Sequence, residues 1–198
     1  MEKRTSDPLE EGLAAASDNP DELFDLVDLD DRVIGTVRRG AAHGNPALVH
    51  RSVQVLVFSG DGRLLLQRRS QRKDLFPGYY CASASGHVAA GEEYEGTAER
   101  ELEEELGIAA PLSLLGKVVV STKPETEITE IFATRSDGPY AFHPTETDGG
   151  VLLPLSQVRL GRANGTLAMT PALLAALDVL ESQLALPPDS LPAPLRSL

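Results

Sequence analysis

The chain has 198 residues, 41% of them hydrophobic, and a formal net charge of −12 from 30 acidic and 18 basic side chains. That length suffices for one domain with a sizeable core, and so negative a surface argues against nucleic acid or an anionic membrane as partner. Cys81, the single cysteine, leaves no intrachain disulfide and no cysteine-rich zinc site; with no signal-type apolar core at the start and no apolar run near ~18 residues, a cytoplasmic protein is expected.

Residues 1–20 are acidic, small and proline-punctuated, and read as a flexible arm. "LFDLVDLDDRVIGTVRR" from Leu23 reads as two strands around an Asp-Asp turn. "VQVLVF" (53–58) and "RLLLQRR" (63–69) flank "SGDG", a hairpin turn. "YYCASAS" is a further strand candidate. "EEYEGTAERELEEEL" (92–106) is helical, because Tyr94, Ala98, Leu102 and Leu106 recur at i+4, and Gly107 stops it. "KVVVST" (117–122) and "EITEIFATR" (127–135) read as strands joined at Lys123-Pro124, and "GGVLLPL" as a short strand ending at Pro154. "TPALLAALDVLESQL" is a helix with Thr170 as N-cap and Pro171 at N1. Residues 186–198, with four prolines, read as an extended tail. The sum is one α/β domain over 21–185, a mixed sheet with helices on its faces.

On the glutamate-rich helix, Glu101, Glu104 and Glu105 fall at i, i+3 and i+4 and share a face. Three adjacent carboxylates are costly unless a cation sits among them, and Mg²⁺ or Mn²⁺ prefers oxygen ligands. A solvated acidic helix face is the alternative for composition alone. The spacing favours the cation: Gly86, five residues, Glu92, seven residues, Arg100-Glu101-Leu102, one residue, Glu104-Glu105, one residue, Gly107-Ile108. This resembles the complete Nudix box.

The resemblance implies the Nudix α/β/α sandwich and hydrolysis of a nucleoside diphosphate linked to another group. It implies Glu101, Glu104 and Glu105 as catalytic metal ligands for Mg²⁺ or Mn²⁺, the Gly86 carbonyl as a further ligand, and Glu92 and Arg100 as braces of the loop–helix junction. Divalent ions would neutralise the diphosphate while water attacks phosphorus. Glu104 is the candidate to take the proton, with a later glutamate as alternative. Nudix domains often pair, so a homodimer is compatible.

Outside the box, His43, His50, His87, Glu125 and Glu127, with Arg69 and Lys73, occur in an order similar to isopentenyl-diphosphate isomerase, a Nudix-fold enzyme. The resemblance implies a second metal on the three histidines and two glutamates, and diphosphate binding by the two bases. Without it, each histidine reads as a surface or capping residue, and the Arg-Arg-Ser-Gln-Arg-Lys run as a solvated basic loop. In so acidic a chain those bases are the natural landing place for a diphosphate.

The isomerase carries a cysteine directly before its Gly-His pair; here the position is Ser85, a much poorer proton shuttle. Cys81 lies ~13 Å away along an extended strand and reads as a buried apolar residue. There is also no tryptophan to face a carbocation. The expected function is therefore a divalent-metal-dependent pyrophosphohydrolase acting on a nucleotide or related small-molecule diphosphate. An isomerase-like enzyme and a non-catalytic diphosphate-binding protein are the alternatives. Phe76, Tyr79, Tyr80, Tyr140 and Phe142 are either base stackers or core residues.

Overall fold

The computed structural model describes residues 19–73, 75–143, 147–196 and 198. Most of the expected arm, residues 1–18, and positions 74, 144–146 and 197 lie outside the described residues.

β1 (Leu23–Val27) and β2 (Val33–Arg38) form a two-stranded antiparallel ribbon. Its turn holds Asp31 at φ 63°, a conformation few side chains tolerate. Fixed partners hold it there: the carboxylate accepts from Arg51 Nε at 2.7 Å and from Lys117 Nζ at 2.5 Å. Tyr94 Oη donates to the same group at 3.2 Å, so one aspartate ties the ribbon to the main body. A short helix, α1 (Arg39–Ala42), follows.

The main sheet has seven strands: β3 (His50–Phe58), β4 (Arg63–Arg69), β5 (Tyr80–Cys81), β6 (Ala84–His87), β7 (Ser113–Ser121), β8 (Thr126–Arg135) and β9 (Thr147–Pro154). The order is β5-β4-β3-β8-β7, with β6 also on β3 and β9 on β4. β3 and β8 run parallel; the other pairs are antiparallel. The sheet is mixed, as the sequence indicates.

Strand alternation sorts β3 between two layers. Val53, Val55 and Val57 pack under Tyr94, Ala98, Leu102 and Leu106 of α2 (Tyr94–Leu106). Leu56 and Phe58 face the other way, toward Val158 of α3 (Leu155–Asn164) and Leu173, Ala176, Leu177 and Leu180 of α4 (Pro171–Leu184). Gly107 ends α2 at φ 66°, donating to Glu103 O at 2.8 Å. Thr170 Oγ1 accepts from Leu173 N at 3.2 Å and starts α4.

Three features depart from expectation. "YYCASAS" splits into β5 and β6, which pair with different strands, β4 and β3. α3 has no apolar stripe to announce it, because only Val158 and Gly161 are buried. Residues 186–198 are not extended: the described part forms two 3-10 turns, Pro188–Ser190 and Ala193–Leu195. Leu195 is fully buried in the α4-side core, and Arg135 Nε donates to Pro194 O at 2.9 Å. Proline-fixed φ angles are as compatible with tight turns as with extended chain. Leu191 and Leu195 decide by closing the end of the core.

Candidate active site

The loop before α2 and the helix itself bring together the box residues. β6 carries Gly86 toward α2 so closely that a Cβ there would stand 2.0 Å from Glu101 Oε1. No residue but glycine leaves that carboxylate its place. Glu101 is 13% exposed at its side chain and is gripped by Arg100, whose Nη1 donates to Oε1 at 2.8 Å. The same guanidinium reaches Glu104 at 3.2 Å, Glu92 at 3.4 Å and the His87 carbonyl at 3.5 Å. Arg100 thus ties the loop to the helix.

Glu105, one turn beyond Glu101, also points inward. Its Oε2 accepts from Gln67 Nε2 at 2.6 Å, and its Oε1 from Ser85 N at 3.4 Å. Gln67 is buried and gives its amide also to Ser83 O at 2.6 Å, so β4 locks the Glu105 rotamer. Glu104 differs: its side chain is 59% exposed. The three acids share a side of the helix, but Glu101 and Glu105 turn toward the sheet and Glu104 toward solvent.

Burial pushes the Glu101 carboxyl up to about 7, against the opposing pull of Arg100 and with the help of Glu104. An acid that is harder to ionise when folded keeps a proton that the unfolded chain has lost. Its contribution to stability therefore falls as pH rises through the window from the ordinary carboxyl value of 4.5 to about 7. Thermal melts in EDTA across that window should show this fall, and Glu101→Gln should flatten it.

On the opposite face of β6, His87 meets a second cluster. Its Nε2 lies 3.1 Å from His43 Nε2 and 3.1 Å from Glu127 Oε1. Glu125 Oε2 is 3.7 Å from His43 Nε2, and His50 Nε2 is 3.9 Å from Glu127 Oε1. One ligand atom from each of His43, His50, His87 and Glu125 falls within 4.8 Å of the others. His50 is fully buried; its Nδ1 faces Leu48 O at 3.2 Å and its Nε2 has no hydrogen-bond partner. With Nδ1 donating to that carbonyl, the lone pair of Nε2 points into the cluster.

Burial first, and then the positive charge of neighbours, hold His43 near a pKa of about 3 and His50 below its ordinary value. Burial opposes ionisation of Glu127, but the hydrogen bond from His87 and the surrounding imidazoles hold it at about 2. Neutral His43 and His50 and an ionised Glu127 suit metal ligation, while burial and the Glu127 charge push the Glu125 carboxyl up.

Phe24 and Arg39, which the sequence reading does not single out, complete this cluster. Phe24 of β1 stacks on His50 and His87, with centroids 5.1 and 5.0 Å apart. Arg39 Nη1 stands 3.4 Å from His87 Nδ1 and 3.2 Å from Glu22 Oε2. No local motif announces either contact. Arg69 leaves the end of β4 with its Nε on Leu75 O at 3.1 Å, and its charge acts on Glu125. Lys73 follows in a turn closed by its N–H on Ser70 O at 3.1 Å. Of the aromatic candidates, Phe76 packs on Tyr79, and Tyr140 and Phe142 pack on the α2-side core. Cys81 is buried, its Sγ 3.7 Å from Gln67 O.

A glycine-pinned loop and a glutamate-lined helix packed on a mixed sheet are the arrangement that the box spacing implies. The NUDIX domain family model matches residues 48–173, and the chain belongs to that family. It is 38% identical over 128 residues to an uncharacterised Nudix hydrolase of Yersinia pestis, covering 64% of this chain and 70% of that one. It is 41% identical over 92 residues to isopentenyl-diphosphate Delta-isomerase of Nocardia farcinica, 46% of this chain and 53% of the isomerase. Among solved structures, DR0079 of Deinococcus radiodurans superposes with a TM-score of 0.68 at 29% identity, covering 81% of this chain and 98% of that chain.

Proposed function

We propose that this protein is a Mg²⁺- or Mn²⁺-dependent pyrophosphohydrolase that cleaves the diphosphate linkage of a small-molecule substrate. The observation that carries the reading is the inward pair Glu101 and Glu105, two half-buried carboxylates beside Gly86. Placing two acids one turn apart in a half-buried site costs energy, and a hard divalent cation offsets it. The donors there are all oxygen and suit Mg²⁺ or Mn²⁺, whereas the His43, His50, His87, Glu125 and Glu127 set suits a metal that takes imidazole. Divalent cations bound there would screen the diphosphate and stabilise charge on its leaving oxygen.

The chain's own residues supply the rest. Arg69 and Lys73, with Arg39 at the histidines, offer positive charge for the diphosphate in an otherwise acidic protein. Arg100 and Gln67 hold the inward carboxylates in position. Glu104, exposed and next to both, is the candidate to accept the proton from the attacking water. Ser85 in place of a thiol weighs against the isomerase reading, because a hydroxyl hardly ionises near neutral pH.

The test is a screen of nucleotide and non-nucleotide diphosphates with Mg²⁺ and with Mn²⁺, reading released phosphate and products. Release from at least one compound is expected, with loss on adding EDTA. Turnover in D₂O that places deuterium in an allylic diphosphate without phosphate release would select the isomerase instead.

A further inference from the structure

The loop between β6 and α2 hangs largely on main-chain hydrogen bonds. Val88 N donates to Arg51 O at 3.0 Å, Ala90 N to Leu23 O at 2.8 Å and Glu92 N to Ala89 O at 2.9 Å. An isolated bridge pairs Ala89 with Phe24, so β1 runs antiparallel alongside the loop. Ala89–Glu92 is a β-turn with Gly91 third in it at φ 81°, the sign that position takes in a type II turn. The Gly91 N–H goes to a side chain instead, donating to Asp25 Oδ2 at 3.2 Å.

Asp25 is the acid in an otherwise apolar strand, Leu23-Phe24-Asp25-Leu26-Val27, and it is 8% exposed. A carboxylate there costs free energy unless it is paired. Arg51 Nη1 lies 3.8 Å away, beyond hydrogen-bond reach, and its Nε and Nη2 are committed to Asp31 at 2.7 and 2.9 Å. The close partner of Asp25 is therefore the loop. Strand alternation turns Phe24 the other way, onto His50 and His87, so successive side chains of β1 touch both clusters. Glu92, next after Gly91, accepts from Thr97 Oγ1 at 3.1 Å and from Arg100 Nη2 at 3.4 Å, and Arg100 Nη1 donates to Glu101 Oε1 at 2.8 Å. A contiguous path thus runs from Asp25 through the turn to Glu101.

We propose that Asp25 is a positioning residue for the glutamate site: it holds the Gly91 turn in the arrangement that presents Glu92 to Arg100 and, through Arg100, sets Glu101. The inference rests on Glu101 as a cation ligand and extends that site to a strand outside the box. Without the acceptor, Gly91 regains the wide φ range of glycine, Glu92 is no longer presented in one orientation, and Arg100 loses a fixed partner. The acceptor oxygen matters here rather than the charge, because the Gly91 N–H needs a lone pair and the Arg51 guanidinium already has Asp31. Asparagine should therefore serve at position 25 where alanine does not.

The test follows Mn²⁺ binding by calorimetry, scored as the binding event that Glu101→Gln removes, and amide exchange at Gly91 by NMR without metal. Asp25→Ala should weaken that event at least about tenfold and speed Gly91 exchange at least about tenfold, since a displacement of ~1 Å at such a site can cost about 10²-fold. Asp25→Asn should stay within about threefold of wild type in both. Lys117→Met is the structural control: it removes the ion pairs with Asp31 of the ribbon and with Glu130 but leaves the loop alone. It should lower the melting temperature without moving either readout. Unchanged Mn²⁺ binding or unchanged exchange in Asp25→Ala, asparagine as damaging as alanine, or an equal loss in Lys117→Met would each overturn the proposal. So would a wild type with no Glu101-dependent Mn²⁺ binding. Phosphate release is scored separately. The expected pattern without release from any diphosphate sinks the hydrolase reading and leaves Asp25 its role; release by wild type and Asp25→Ala alike, at equal Mn²⁺ requirement, sinks the proposal alone.

Discussion

Glu105→Gln is expected to lower metal-dependent diphosphate hydrolysis by about 10²–10⁴-fold, the range for losing a group that acts directly in proton transfer or charge stabilisation. Glu105 is held from both sides, by Gln67 Nε2 at 2.6 Å and Ser85 N at 3.4 Å. A glutamine there keeps the volume but removes the charge, and its amide oxygen can still accept from Gln67 Nε2. The variant should still fold, because the apolar stripe of α2 is untouched. Phosphate release measured against Mg²⁺ concentration separates two causes. A raised metal requirement with recoverable maximal rate marks a cation ligand; a depressed rate at saturating metal marks the proton acceptor. Glu104→Gln, run beside it, tests the exposed carboxylate for the second role. Activity within threefold of wild type in both variants would remove Glu104 and Glu105 from the chemistry.

What the sequence made legible was mostly local. The stripe Tyr94, Ala98, Leu102 and Leu106, the Gly107 stop and the Thr170 cap each depend on neighbours within a turn or two, and each is seen in the structure. The box spacing belongs to the same kind, since it encodes one loop and one helix. His50, His87 and Glu127 converge because β3, β6 and β8 are adjacent, with His43 brought in at the end of α1, a long-range fact that only the resemblance to the isomerase anticipated. Helical periodicity placed three glutamates on one side, but not which of them would turn inward. That depends on where β4 and β6 bring Gln67 and Gly86. Gln67 and Arg39 were invisible for the same reason: their partners lie 38 and 48 residues away. The tail misled because proline restricts φ without deciding whether the next leucine finds a core.

Gly86→Ala should be the most damaging single-methyl change in the molecule for activity, and nearly harmless to the fold. The added Cβ would fall 2.0 Å from Glu101 Oε1 and 2.2 Å from its carboxyl carbon, closer than atoms can approach. The atoms it meets belong to the far end of a flexible side chain, so the carboxylate moves and the sheet does not. β6 keeps its pairing of Gly86 with Val53, because alanine is compatible with extended backbone. Glu101 then loses its position beside the loop and its geometry with Arg100 Nη1. Displacing such a group by ~1 Å can cost about 10²-fold in rate, and the shift required here is larger. The expected result is hydrolysis down at least that far, weaker Mn²⁺ binding by calorimetry, and a melting temperature close to wild type. Gly96→Ala is the matched control: nothing lies within 4 Å of its new Cβ, and an exposed helical alanine should stabilise by about 0.5–1 kcal/mol without touching activity. If Gly86→Ala keeps full activity, Glu101 does not act from the position it occupies here, and the inward pair loses its claim to the reaction.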